Sequence, residues 1–367
     1  MFFIIAFCFV VVILGGLAST GKMKKGLEVA FLLIILFSAF RFDYGNDYSE
    51  YYNRFYIIAK ISNLHSLFSL FDGPFDKYQG AELGWTLLNW IFRPFGFEVL
   101  VICLSVFINI VYYKFIKNYV PRKWYWFALF TYMFNTNLFF VPLSMMRQSL
   151  GMAIFVLSFR YIYEKKLLLA TLFITIAAFF HKSAFLLYPF ILFGYLEKLS
   201  GKVLALFFGG VFVALLFTDN LTATLVETAL SFESIESYGE YFDNPEFEAA
   251  GAFGLGFAVS LITFFIPFLY LFSDKKQLFS TRLAVLIASM WFLVAPFTQI
   301  LGFIGRISYY FSIYNIVAYP LIYNWMSKKL IRNGLLALYM VYVLYAFFLF
   351  FRDPNWIYFT HYQTIFR

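Results

Sequence analysis

The chain has 367 residues, of which 62% are hydrophobic and only 13% are charged, and its formal net charge is +8. The apolar share is far above, and the charge content far below, that of a soluble domain. The composition therefore excludes a soluble globular protein and predicts one integral membrane domain over residues 1–367. Two cysteines, Cys8 and Cys103, lie in apolar runs, so no disulfide framework is expected.

Apolar segments able to cross a bilayer, which needs roughly 20 residues per helix, occur from one end of the chain to the other. Residues 2–18 have no basic residue ahead of them and no cleavage site after them, so they are expected to form a retained span rather than a signal peptide. The pattern predicts an all-α, polytopic bundle of about 12 transmembrane helices. The predicted spans are 2–18, 27–40, 97–116, 124–141, 149–163, 167–181, 183–197, 203–218, 254–272, 283–301, 307–326 and 334–351.

Basic and acidic side chains sort onto alternate connections between these spans. The basic connections are cytoplasmic by the positive-inside rule, so the net charge reflects topology and does not indicate nucleic-acid binding. Both termini are then extracytoplasmic. The basic connections contain Lys22, Lys24, Lys25, Lys117, Arg122, Lys123, Lys165, Lys166, Lys198, Lys202, Lys275, Lys276, Arg282, Lys328, Lys329 and Arg332.

Two long connections, residues 41–96 and 219–251, fall on the acidic, extracytoplasmic face. This topology requires that 81–95 does not cross the membrane, and we interpret that stretch as an interfacial or re-entrant helix. Its tryptophans Trp85 and Trp90 suit the headgroup region. If 81–95 were instead a true span, the orientation of everything before it would be reversed.

Basic side chains that break the charge rule lie at the outer ends of helices: Arg41, Arg147, Lys182 and Arg306, together with His181. Arginine offers a planar fork of donors that matches phosphate oxygens and keeps its charge, which favours a lipid-linked phosphate or diphosphate as ligand. Such intramembrane cations are functional candidates by default. The alternative is that each one only reaches to the headgroup phosphates.

The stretch 41–52, which reads RFDYGNDYSEYY, combines one arginine, three acids and four tyrosines, a composition that suits carbohydrate as well as a plain membrane interface. No two of the three histidines stand at a metal-ligand spacing, so no metal site is predicted. His181 could take a proton from a sugar hydroxyl, or could simply mark the interface. No hydrolase elbow, Walker loop or dinucleotide fingerprint occurs in the sequence.

These residues resemble the bacterial polysaccharide polymerases of the EpsG/Wzy type. The short motifs that carry the resemblance keep their order over nearly the whole chain. They are RFDYGNDYSEYY at 41–52, ELGWTLLN at 82–89, MRQ at 146–148, HKSA at 181–184 followed by Pro189, Arg306 with Tyr309 and Tyr310, and YQTIF at 362–366.

The resemblance implies an enzyme of the bacterial cytoplasmic (inner) membrane with a fold like that of GT-C glycosyltransferases. Two undecaprenyl-diphosphate-linked glycans would meet at its outer face, one would pass to the nonreducing end of the other, and undecaprenyl diphosphate would leave. The product would be O-antigen or another envelope polysaccharide. A chain-length regulator protein is a further candidate partner, besides the lipid bilayer and the lipid-linked glycans, and no cofactor is expected.

The residue roles that follow are hypotheses. Arg147, Arg306 and Arg41 are expected to bind the diphosphate. The expected base is His181, with Asp47 and Glu82 as further candidates, the last because desolvation can raise the pKa of a carboxyl. Tyr48, Tyr51, Tyr309 and Tyr362 are expected to line the glycan track, and the loop 219–251 to cap the cavity. A flippase or transporter and a membrane O-acyltransferase are the alternative functions.

Overall fold

The computed structural model describes residues 1–68, 82–217, 267, 270–271, 278–291 and 307–366. Arg306 and the loop 219–251 lie outside the described residues. The described residues are mostly helical, and they include one pair of two-residue strands. The elements are α1 Phe2–Ser19, α2 Gly26–Ala39, β1 Arg41–Phe42, α3 Tyr48–Ala59, α4 Leu64–Phe68, α5 Leu83–Phe92, α6 Phe97–Tyr119, α7 Tyr125–Phe134, α8 Phe140–Ser144, α9 Met146–Tyr163, α10 Leu167–Phe180, α11 Gly201–Phe217, α12 Phe279–Ser289, α13 Ser308–Ser312, α14 Asn315–Trp325, α15 Lys329–Arg352 and β2 Gln363–Thr364, with 3-10 helices at Arg122–Trp124, Lys182–Lys198 and Pro354–Phe359.

Among the described residues, α1, α6 and α15 are long and apolar enough to cross a membrane. Four further helices, α2, α5, α10 and α12, are apolar but shorter. The prediction of an all-α membrane protein is therefore confirmed, while about 12 crossings and a GT-C-like arrangement stay predictions. The predicted span 124–141 is divided into α7 and α8, because the helix ends at Phe134 and resumes at Phe140.

The described chain forms two compact units, one of residues 1–191 and 335–367 and the other of residues 192–334. In the second unit, α12 lies against α13 and α14. In the first unit, α1 packs on α2 and α7, α2 packs on α6, and α9 packs on α10 and α6. The first unit contains Glu82, Arg147 and His181.

At one end of the first unit, the two termini and the start of the 41–96 connection come together. The amino group of Met1 donates to the carbonyl oxygen of Thr360 at 2.8 Å, and β1 pairs antiparallel with β2, so that Arg41 lies opposite Thr364. The ring of Tyr362 stacks on Phe37 with centroids 4.2 Å apart. The sequence predicted a common face for these three segments, and the structure gathers them at one end.

The basic connections of the first unit gather at the far end of the same helices. Arg122 Nε donates to the carbonyl oxygen of Ala18 at 2.8 Å, which joins the α1–α2 connection to the α6–α7 connection. Tyr119, the last residue of α6, stacks edge-on against Phe159 near the end of α9. Charge sorting therefore predicted correctly which connections of this unit share an end.

The short helix α5 occupies most of the stretch predicted not to cross the membrane. Ten residues rise about 15 Å, half of what a bilayer core requires. Its Trp90 Nε1 donates to the carbonyl oxygen of Ile61 at 3.1 Å, which ties α5 to the end of the segment that carries α3. A short helix therefore occupies this stretch, and its interfacial or re-entrant placement stays a prediction.

Candidate functional site

The carboxylate of Glu82 joins two of the predicted site residues. Its Oε2 lies 2.5 Å from Nη1 of Arg147, and its Oε1 lies 2.8 Å from Nδ1 of His181. The backbone N–H of Lys182 points to the same Oε1 at 3.4 Å. One carboxylate therefore holds a guanidinium and an imidazole side by side.

Each of the three side chains stands at the end of a helix. Glu82 precedes α5 in an extended conformation, Arg147 lies in the first turn of α9, and His181 follows α10, also extended. A cation in the first turn of a helix is disfavoured by the helix dipole, so Arg147 needs a nearby anion, and Glu82 supplies it. The ends of α5, α9 and α10 therefore meet at this site.

Gly84 allows α5 to approach the end of α10 closely. A Cβ atom at this position would lie 2.5 Å from the carbonyl oxygen of Phe179 and would also collide with the Phe179 ring. Phe179 stands two residues before His181 in the chain. The absent side chain of Gly84 therefore brings Glu82 within hydrogen-bond distance of His181.

Tyr51 of α3 supports Arg147 from a third direction. Arg147 Nε donates to the hydroxyl oxygen of Tyr51 at 3.3 Å, and the guanidinium carbon lies 5.7 Å from the Tyr51 ring centroid. Tyr51 in turn packs edge-on against Trp85 of α5, with ring centroids 5.3 Å apart. Tyr51 is buried and supports Arg147, and its predicted place along the glycan track stays a prediction.

The turn before α3 fixes this helix against the start of α9. Gly45 has φ +107°, and a Cβ there would lie 3.2 Å from Cα of Ser144. The backbone N–H of Asp47 donates to Oγ of Ser144 at 2.9 Å, two residues after Gly45. Because Ser144 ends α8 just before α9, this contact sets where α3 presents Tyr51 to Arg147.

Glu82 is the buried member of the cluster. Its side chain is 5% exposed, whereas those of Arg147 and His181 are 21% and 17% exposed. Of the three side chains, those of Arg147 and His181 are therefore the more accessible. Glu82 lies behind them.

Burial by itself would raise the pKa of Glu82, but the hydrogen bond from His181 and the charge of Arg147 outweigh it and lower the pKa to about 2. The sequence-based expectation of a raised pKa is wrong, because it counted desolvation without the hydrogen bond from His181 and the charge of Arg147. Glu82 is ionised at neutral pH and is a poor base. An ionised carboxylate only accepts, so Nδ1 of a neutral His181 carries its proton and Nε2 keeps a lone pair.

Arg41 has a different environment from the one predicted. It is 3% exposed, and its guanidinium donates to the carbonyl oxygen of Ser38, to Oγ of Ser105 at 3.0 Å and to the carbonyl oxygen of Leu143 at 3.2 Å. In the described chain, no carboxylate pairs with it. The structure thus corrects the expectation that Arg41 offers an open fork to a diphosphate, since protein oxygens already occupy that fork.

Two of the predicted glycan tyrosines are also structural. Tyr48 is 1% exposed and its hydroxyl points to the carbonyl oxygen of Arg41 at 3.4 Å. The hydroxyl of Tyr362 donates to the carbonyl oxygen of Phe37 at 2.8 Å, beneath the stacked rings. Both tyrosines lie beside the β1–β2 pair, which joins the start of the 41–96 connection to the C-terminal segment.

The remaining predicted residues stay predictions. Asp47 is half-buried at the start of α3, and Tyr309 is half-buried in α13 of the second unit. Arg306 falls outside the described residues. Within the described ranges, no group of three or more histidine, cysteine or acidic side chains could hold a metal ion.

Sequence reasoning missed Tyr51 as the partner of Arg147 and Gly84 as the point of close approach. The spacing Tyr48, Tyr51, Phe55, Ile58 is that of a helix face, and this signal could have placed Tyr51 on the buried side of α3. The approach at Gly84 has no such signal, because it depends on a backbone 95 residues away along the chain.

Comparison with known proteins gives a family for the chain. The sequence profile of the EpsG family matches residues 27–364, which includes all three members of the cluster. No curated protein and no solved structure matches the chain. The match covers nearly the full length, and the chain therefore belongs to the EpsG family.

Proposed function

We propose that this chain is a polysaccharide polymerase that joins undecaprenyl-diphosphate-linked repeat units, such as those of O-antigen, at the extracytoplasmic face of the bacterial cytoplasmic membrane. Membership of the EpsG family fits a polymerase-type function in general. The observation that carries the specific proposal is the carboxylate of Glu82 bridging Arg147 and His181. This arrangement puts an anion-binding group beside a potential base.

Arg147 stabilises the leaving group in this proposal. As the anomeric carbon of the donor separates from the diphosphate oxygen, the bonding electron pair and the developing negative charge go to the diphosphate. A guanidinium that is held in place before the reaction stabilises this charge without reorganising. Tyr51 and Glu82 fix two sides of Arg147, and its partly exposed edge faces the substrate.

His181 is the base in this proposal. The acceptor hydroxyl oxygen attacks the anomeric carbon, and its proton passes to Nε2 of His181 as the new glycosidic bond forms. Glu82 accepts from Nδ1, so it selects the tautomer and stabilises the imidazolium that results. Glu82 is therefore a positioning residue, and Asp47 is the second candidate for the base.

The finer parts of the proposal concern the rest of the chain. About 12 crossings in a GT-C-like arrangement would place both termini outside. The loop 219–251 stays a candidate for recognising the repeat unit. Arg306 stays a candidate for binding the diphosphate, and Tyr309 stays a candidate for binding the glycan. A chain-length regulator protein would act on the same complex and limit the polymer.

The proposal is tested by replacing Arg147 with alanine in cells that make the polysaccharide. We expect these cells to display glycans of single repeat units, because repeat units still reach the outer face but are not joined. The matched control is Arg54→Ala, which removes a half-buried arginine that pairs with Glu50 on α3 and should leave the polymer unchanged.

Three other results would contradict the proposal. A full ladder of long chains at normal protein levels would exclude a role for Arg147 in joining repeats. Loss of all surface glycan, single repeats included, would favour a transporter. Chains of normal length that lack acyl groups would favour an O-acyltransferase.

A further inference from the structure

A groove runs between α2 and α6 in the first unit, at the end that gathers the basic connections. Its volume is about 240 Å³, and its walls are Phe31, Leu32 and Ile35 of α2 and Ile110 of α6, with Glu28 and Tyr113 at its basic end. Leu32 is 54% exposed and Ile110 is 38% exposed. The groove is therefore lined by apolar side chains except at its basic end, where Glu28 and Tyr113 are polar.

The polar end is held together by a compact set of contacts. Glu28 Oε1 accepts hydrogen bonds from the hydroxyl of Tyr113 and from Nζ of Lys117, each at 2.9 Å. Lys117 Nζ also lies 2.5 Å from the Tyr113 hydroxyl oxygen. The charge of the one acid is therefore already balanced by Lys117.

The charge left over around this end is positive. Lys114 lies four residues after Ile110 and so shares the face of α6 that lines the groove. Lys24 and Lys25 directly precede α2. Lys24, Lys25 and Lys114 form no ion pair with any described residue. A ligand that neutralises these lysines must carry negative charge.

The length of the groove suits a hydrocarbon chain. From Glu28 to Ile35 the helix rises about 10 Å, which is comparable to most of one leaflet of a bilayer core about 30 Å thick. An apolar chain that lies along Phe31, Leu32 and Ile35 would run parallel to the helices, as membrane lipids do. Its polar head would then stand among the lysines.

We propose that the α2–α6 groove is a binding site for an anionic glycerophospholipid, with one acyl chain along Phe31, Leu32 and Ile35 and the phosphate beside Lys114 and Lys117. Basic pockets between helices at the cytoplasmic side are suited to such headgroups. This site lies at the opposite end of the first unit from Glu82. It does not depend on the proposed polymerase activity.

The test uses the full chain purified in a neutral detergent, with phosphatidylglycerol and phosphatidylcholine added in turn and bound lipid counted by native mass spectrometry. We expect phosphatidylglycerol to be retained in preference to phosphatidylcholine. Lys114→Gln should weaken phosphatidylglycerol binding about fivefold, the effect of removing one cation near a headgroup. Leu32→Trp should fill the groove and abolish binding.

Two matched controls separate this site from general lipid adhesion. Lys60→Gln removes a lysine after α3, at the other end of the unit, and Leu36→Trp adds the same bulk to a part of α2 outside the groove. Both should bind like the unmodified chain. Equal retention of the two lipids, or unchanged phosphatidylglycerol binding by Leu32→Trp, would overturn the proposal, and so would preferential retention of undecaprenyl diphosphate there.

Discussion

Oε1 of Glu82 and Nδ1 of His181 lie 2.8 Å apart, although the two residues are separated by 99 positions in the sequence. The same carboxylate faces Arg147 through its other oxygen. The low pKa of Glu82 follows from these two contacts, and it changes the role of this residue from a candidate base to a charged support. The cluster is thus organised around a buried anion.

Glu82→Gln should reduce polymerisation roughly 100-fold or more, because a neutral amide neither stabilises the His181 imidazolium nor balances Arg147. The measurement is the rate at which labelled repeat units enter polymer in membranes with equal protein content. Glu50→Gln, which removes an exposed carboxylate from the surface pair with Arg54, is the matched control and should keep the full rate. An unchanged rate in Glu82→Gln would show that the bridge has no role in the reaction.

Gly84→Ala should separate Glu82 from His181, since the added Cβ would press on the backbone of Phe179. Overpacking of this kind costs roughly 1–3 kcal/mol of stability. We expect a lower Tm of the purified protein and a large fall in polymer length. Gly16→Ala in α1, where a Cβ meets nothing within 4 Å, is the control and should have neither effect.

The individual members of the site could be predicted from the sequence, but their connections could not. Arg147 and His181 attract attention because a charged or titratable residue at the end of an apolar helix is costly without a purpose. Their common partner stands 65 and 99 positions away, and no spacing rule relates such distant residues. The same limit explains why the sequence led to the wrong direction for the pKa of Glu82. The apolar sequence around Glu82 indicates its desolvation, but it does not indicate that Arg147 and His181 contact the carboxylate.

Arg41 is a residue whose role the sequence did not predict correctly. In the sequence it looks like Arg147, a lone cation at the outer end of an apolar helix. The difference is that the Arg41 guanidinium meets the carbonyl oxygens of Ser38 and Leu143, whereas that of Arg147 meets the carboxylate of Glu82. Backbone carbonyls carry no sequence signal. The grouping of basic connections was predictable, because it depends on charge alone.

The stability of the first unit should depend on pH through Glu82. Its pKa is about 2 in the folded chain against an ordinary value of 4.5, so its stabilising contribution is complete above pH 4.5 and is lost as the pH falls toward 2. At pH 3 the loss should be about 2 kcal/mol. The Tm of the purified protein should fall more steeply between pH 6 and pH 3 than that of Glu82→Gln. Parallel curves would mean that the carboxyl has no depressed pKa.

Arg41→Lys should lower the stability of the protein but leave its affinity for undecaprenyl diphosphate unchanged. A single ammonium group cannot reach the carbonyl oxygens of Ser38 and Leu143 and the hydroxyl of Ser105 in the geometry of the guanidinium, so buried acceptors lose their donors at a cost of about 1–3 kcal/mol each. We expect a lower Tm without ligand.

Added undecaprenyl diphosphate distinguishes this structural role from a role in binding the diphosphate. A ligand that binds only the folded state raises Tm by an amount set by its affinity. The increase should be the same for Arg41→Lys as for the unmodified chain, and smaller for Arg147→Lys, whose guanidinium is partly exposed. If the increase is lost in Arg41→Lys and kept in Arg147→Lys, the diphosphate binds at Arg41, and the buried network around it must open to admit the ligand.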